Sequence, residues 1–172
     1  MKKLIFLGLV VVLTMSCQNS EPRFFTSSPE IDDTKALVSD YENGNWENWV
    51  THYSDTAKIY HNTWENGTSP AETQENLKEI LSNVSKYKFD EENVFYEMII
   101  DDNGKTWVNF WGNWRANIAA NGQELQIPVH LSLNYVEGKI VEEYGFYDVS
   151  QFMAALSEIE ATKANENVLE SQ

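Results

Sequence analysis

The chain has 172 residues with 12 Lys or Arg against 27 Asp or Glu, a net charge of −15 with neutral imidazoles. A surface this acidic repels phosphate backbones and anionic head groups, which argues against a nucleic-acid partner. A single cysteine leaves no disulfide to staple the fold, so it must hold by its core, for which six Trp, eight Tyr and eight Phe supply apolar area.

Residues 1–16 read as an export signal: Lys2 and Lys3, an apolar run from Leu4 to Leu13, then Thr14-Met15-Ser16 before Cys17. The apolar run is far below the ~20 residues needed to span a bilayer. A small residue followed by the lone cysteine resembles the lipobox of bacterial lipoproteins, with Thr14 where that box usually has Leu. The resemblance implies that Cys17 is acylated once the signal is removed, and that the chain is membrane-anchored in the bacterial cell envelope, on the periplasmic or cell-surface side. Several acyl chains at ~0.8 kcal/mol per buried methylene give lasting attachment. Cleavage would take Lys2 and Lys3 from the basic count and no acid, moving the net charge from −15 to −17.

Residues 17–31 carry Pro22 and Pro29 among small polar residues and read as a lipidated tether. A domain is expected over 32–160, with a flexible tail over 161–172. The first helix, 32–42, has Leu37, Val38 and Tyr41 on one side and stops at Asn43-Gly44. Trp46, Trp49, Val50 and Tyr53 then recur at helical spacing. Ser69-Pro70-Ala71-Glu72 is a capping box opening a third helix with Leu77, Ile80, Leu81 and Val84 on its apolar face. A short strand over 57–61 precedes that helix. From Tyr87 the pattern becomes a meander of four strands over 87–101, 105–119, 124–136 and 139–147, with turns at Asn103-Gly104, Asn121-Gly122 and Glu137-Gly138. A last short helix begins near Asp148 with Phe152, Leu156 and Ile159. Helices first and long antiparallel strands last argue for an α+β domain.

This order, with Gly44-Asn45-Trp46, Tyr53-Ser54-Asp55, Glu137-Gly138-Lys139-Ile140-Val141 and Phe146-Tyr147-Asp148 at its junctions, resembles the cone-shaped NTF2-like superfamily and its SnoaL-like branch. The resemblance covers about residues 32–156. It implies a strongly curved antiparallel sheet, three N-terminal helices on its concave face and a short C-terminal helix. Laid on ketosteroid isomerase, the general-base carboxylate falls at His61, the oxyanion-donating acid at His130 and the first-helix tyrosine at Leu37. The isomerase chemistry is therefore not carried over, and two imidazoles near a cone pocket are more similar to scytalone dehydratase. The Arg-x-Asp motif of limonene epoxide hydrolase is absent, since Asn117 follows Arg115.

His61 and His130 are the candidate catalytic residues, because imidazole passes protons either way near neutral pH. Trp46, Tyr53, Trp64, Trp111 and Tyr147 are the expected pocket lining. On residues 127–135 the odd positions are apolar, and His130 shares the other face with Pro128, Ser132 and Asn134. Either that polar face lines a wet pocket, or the apolar face is the core and His130 looks outward. Residues 107–117 place Trp107, Asn109, Trp111, Asn113, Arg115 and Asn117 on one face, suited to a ring-bearing ligand or to a dimer contact. His52 reads as solvated and Asp148 as a helix cap. No metal-ligand spacing, phosphate loop or nucleophile elbow is present, so neither metal nor cofactor is expected. Three functions stay open: a lipid-tethered module binding a small, partly apolar ligand; a cofactor-free lyase or isomerase; and an interaction protein, with a homodimer expected through the sheet. A cavity of ~300 Å³ or more argues against the third.

Overall fold

The computed structural model describes residues 22–170. The expected export signal at 1–16 and the expected lipidation at Cys17 fall outside these residues. Helix α1 (Pro29–Asn43) starts earlier than its apolar spacing suggests. The Ser28 hydroxyl accepts the Ile31 N–H at 3.1 Å, and Pro29 occupies the first turn, where its missing N–H costs nothing. The tether reading of 17–31 is thereby shortened. Strand β1 (Phe24–Phe25) pairs with the sheet, and Ile31 is fully buried. Pro29 is a helix opener, not linker punctuation.

Helix α2 (Trp46–Thr51) ends before Tyr53, which instead begins strand β2 (Tyr53–His61). The capping box is realised at helix α3 (Pro70–Leu81), where the Ser69 hydroxyl accepts the Glu72 N–H at 3.2 Å. Strands β3 (Val84–Ile100), β4 (Thr106–Ile118), β5 (Glu124–Val136) and β6 (Lys139–Tyr147) form the meander. Between β5 and β6, Glu137 at φ 52° and Gly138 at φ 75° satisfy a two-residue turn that needs positive φ twice.

The sheet order is β1-β3-β4-β5-β6-β2, and β2 runs parallel to β6. The sheet is therefore mixed rather than wholly antiparallel, because α3 carries the chain from one sheet edge to the other. The β3–β4 pairing is irregular at residues 90–93, which bulge between Phe89 (opposite Trp114) and Val94 (opposite Gly112). Helix α4 (Ser150–Glu170) has 21 residues and continues through most of the expected 161–172 tail, so it is not short. Its Phe152 and Ala155 are buried, and the Asp148 carboxylate accepts the Ser150 N–H at 2.9 Å at its entry.

Alternation on β4 and β5 resolves into an inner and an outer face. Val108, Phe110, Trp114, Ile118, Ile127 and Leu133 are buried against the helices. The opposite face carries Trp107, Trp111 and His130. The apolar face is the core.

One polar network ties α1 to α2. His52 is not solvated: its ring, 11% exposed, donates from Nδ1 to Asp33 at 2.8 Å and from Nε2 to Asp40 at 3.0 Å. Tyr135 also donates to Asp33, at 3.0 Å. Two carboxylate partners require both ring nitrogens to carry protons, so the bridging ring is an imidazolium. The bond to Asp33 raises the His52 pKa against the opposing effect of burial, and Asp40 adds to the rise. Burial works against ionised Asp33, but the bonds from His52 and Tyr135 outweigh it and hold that carboxyl below its ordinary value.

The His52 contribution is complete below its unfolded pKa of about 6.5 and is lost as pH rises through the raised folded value. The Asp33 contribution is present above about pH 3.9 and is lost as pH falls through its lowered value. Urea midpoints should therefore decline from about pH 6.5 upward. His52→Gln should flatten that decline; an unchanged slope would reject the bridge.

Candidate functional site

The helices and the inner sheet face line a cavity of about 120 Å³ that is partly open to solvent. Leu37, Val38 and Tyr41 of α1, Trp49 of α2, Leu77 and Ile80 of α3 and Phe152 of α4 form part of its wall. The sheet adds Trp114, Ile127, Val129 and Leu131. The volume is below the 300 Å³ mark, so any guest that fits without rearrangement is small.

The polar corner of this apolar chamber belongs to β2 and β6. Their parallel register sets Ile59 beside Glu143 and His61 beside Gly145. Glu143 is 2% exposed, yet it accepts His61 Nε2–H at 3.0 Å and Tyr53 Oη–H at 2.5 Å. Both carboxylate oxygens are thus satisfied, as a buried acid requires. Gly145 makes room for the imidazole: a Cβ there would stand 2.5 Å from His61 Cδ2. The Tyr147 ring meets His61 edge-on at 5.4 Å. Burial first, then the Glu143 charge, raises the pKa values of Tyr53 and Tyr147, so both phenols stay protonated donors. His61 Nδ1 makes no hydrogen bond among the described residues.

Of the expected site residues, His61, Tyr53 and Tyr147 line the cavity. His130 does not. It lies on the outer face, donates from Nδ1 to the Phe110 carbonyl at 3.1 Å and stacks on Trp111 at 4.5 Å. The paired-imidazole site is therefore corrected: a sheet lies between the two histidines. Trp111 shares the outer face and is not part of this cavity's wall. Trp64, 72% exposed, packs there against Tyr144 and Phe146. Trp46 packs edge-on against Tyr41 and Trp49 behind the cavity wall and borders a separate polar groove with Lys78.

Glu143, central to the site, reads in the sequence as one acid of a pair at a strand end. The available signal is alternation: Glu143, Gly145 and Tyr147 share the inward face of β6. Trp114 is a second unforeseen member. Its buried indole Nε1–H lies toward the Tyr41 hydroxyl, and both rings belong to the cavity wall.

No protein-family model and no curated protein matches the chain. Solved structures do. PrhC from Penicillium brasilianum is 16% identical with a TM-score of 0.63, over 81% of this chain and 93% of that one. A protein assigned as a SnoaL-like polyketide cyclase from Shewanella putrefaciens is 15% identical with a TM-score of 0.58, over 77% of this chain and 98% of that one. A protein with a ketosteroid isomerase-like fold from Catenulispora acidiphila, crystallised with trimethylamine, is 9% identical with a TM-score of 0.55, over 69% of this chain and 87% of that one. The fold is the NTF2-like, SnoaL-like cone.

Proposed function

We propose that the domain binds a small, mostly apolar molecule in the inner cavity, beside the His61–Glu143–Tyr53 corner. The mixed lining of the cavity carries this reading: its apolar walls suit a guest's hydrocarbon surface, and His61 Nδ1 is left to meet its polar group. The neighbour crystallised with trimethylamine holds a molecule of comparable size. Mass spectrometry of ligand released from the natively purified chain tests the reading. A recovered compound should shift the Trp114 indole N–H resonance on re-addition; a compound that leaves it unmoved counts against this site.

A second reading rests on His61. With Nε2 committed to Glu143, the ring leaves Nδ1 free of protein partners among the described residues, the position from which a general base of a lyase or isomerase would act. The carboxylate acts as its positioning residue.

Two further proposals concern place and assembly. Lipid attachment at Cys17 would hold the domain at the cell envelope. Cys17→Ser should then leave the membrane fraction for an unprocessed or soluble form, and an unchanged distribution would reject the anchor. The outer sheet face would form a homodimer. Phe95, Trp111, His130 and Phe146 stand opposite one another in a row across four strands. Phe95 and Trp111 are 63% and 40% exposed. Light scattering at tens of micromolar should show a dimer, which corresponds to an affinity near 8 kcal/mol or better on the standard scale. Trp111→Glu sets like charges face to face and should weaken the dimer about 100-fold or more. A parent chain that is already monomeric there removes the proposal.

A further inference from the structure

We propose that the guest of the inner cavity is a small methylated ammonium ion, an inference that rests on reading the cavity as a ligand site. Neither Lys nor Arg lines the chamber, and its acidic residue, Glu143, is buried. Glu143 accepts from both His61 and Tyr53, the pattern of a carboxylate, and it is the acidic side chain on the chamber's otherwise largely apolar wall.

Aromatic rings make up nearly half of that wall. Tyr41, Trp49, Phe89, Trp114, Tyr147 and Phe152 line the space among leucine, isoleucine and valine side chains, as does Tyr53, whose ring centroid lies 4.8 Å from that of Trp49. Ring faces carry negative quadrupole density, so such a cage attracts a cation whose surface is methyl groups. Methylation matters because both Glu143 oxygens already accept protein donors. A primary ammonium would arrive with three N–H groups and find too few acceptors; a quaternary one needs none. The acidic surface adds a long-range field of the same sign.

Size sets the remaining limit. Cavities of about 150 Å³ take benzene, so about 120 Å³ suits a guest near five heavy atoms. Tetramethylammonium has that size, as does tert-butyl alcohol, its uncharged near-isostere.

The test titrates the full chain with tetramethylammonium chloride and, separately, with tert-butyl alcohol, following the Trp indole N–H resonances. The ammonium ion should bind at least about 10-fold tighter, the scale of a desolvated cation–π contact. Glu143→Gln, checked for native fold by near-UV circular dichroism, should reduce that preference to about threefold or less. If that variant does not fold, the comparison of the two probes on the parent chain still decides. Equal or tighter binding of tert-butyl alcohol overturns the ammonium assignment and leaves the ligand site standing. Failure of both probes to move the Trp49 and Trp114 resonances at ~100 mM overturns the ligand site as well.

Discussion

Phe110→Ala should destabilise the domain by about 3–5 kcal/mol, the range for truncating a fully buried phenylalanine. Phe110 is 0% exposed and packs against Phe89 and Tyr96 with ring centroids at 4.9 and 5.1 Å. The surroundings cannot collapse into the space it leaves. Phe89 and Gly112 flank the irregular stretch of β3, and a Cβ on Gly112 would already stand 2.5 Å from the Phe110 ring tip. Gly112→Ala should therefore also cost about 1–3 kcal/mol, by crowding instead of by cavity. For a domain of this size the Phe110 loss lowers the melting temperature by roughly 10–20 °C. Trp64→Ala supplies the contrast: its ring is 72% exposed, so its removal should scarcely move the transition of the monomer. Scanning calorimetry on the three variants checks the order, and a Phe110→Ala loss no larger than that of Trp64→Ala would reject this account of the core.

Much of this architecture is legible because local physics determines it. Ser69-Pro70 and Asn43-Gly44 mark helix ends by satisfying or terminating backbone bonds, and Glu137-Gly138 marks a hairpin by its positive φ values. Alternation along 107–117 and 127–135 shows that there are two faces. It does not show which one meets the helices, so His130 can be read toward a pocket or outward, and Trp111 as pocket lining or as a contact face. The parallel pairing of β2 with β6 is equally invisible locally, since it depends on where α3 returns the chain. Glu143 and His61 meet across 82 positions, and His52 meets Asp33 across 19. A polar side chain read alone looks solvated. Its burial becomes visible only when the fold supplies its partner, which is why His52 reads as solvated and Glu143 as a strand-end acid while the apolar walls around them read correctly.

Glu143→Leu should cost about 2–5 kcal/mol, although leucine fills nearly the same space and suits the apolar chamber. The loss comes from what the substitution abandons. Tyr53 Oη–H and His61 Nε2–H both donate to this carboxylate, and each stranded donor costs about 1–3 kcal/mol. Tyr53 is buried at 5% exposed and has no other acceptor among the described residues. His61, 21% exposed at its side chain, can turn partly toward the cavity, so its share should be the smaller. Tyr53→Phe alone should cost about 1.5–3 kcal/mol, the worth of a hydrogen bond to a charged acceptor. The double variant is the decisive species. Once phenylalanine replaces Tyr53, leucine at 143 strands only the imidazole, so the pair should be at least about 2.5 kcal/mol more stable than the sum of its two single losses. Urea midpoints at constant m-value give all three numbers on one scale. Strictly additive losses would mean that Tyr53 and Glu143 do not act as one unit. The carboxylate would then be held by His61 alone, and the rigid corner that orients the imidazole toward a guest would lose its basis.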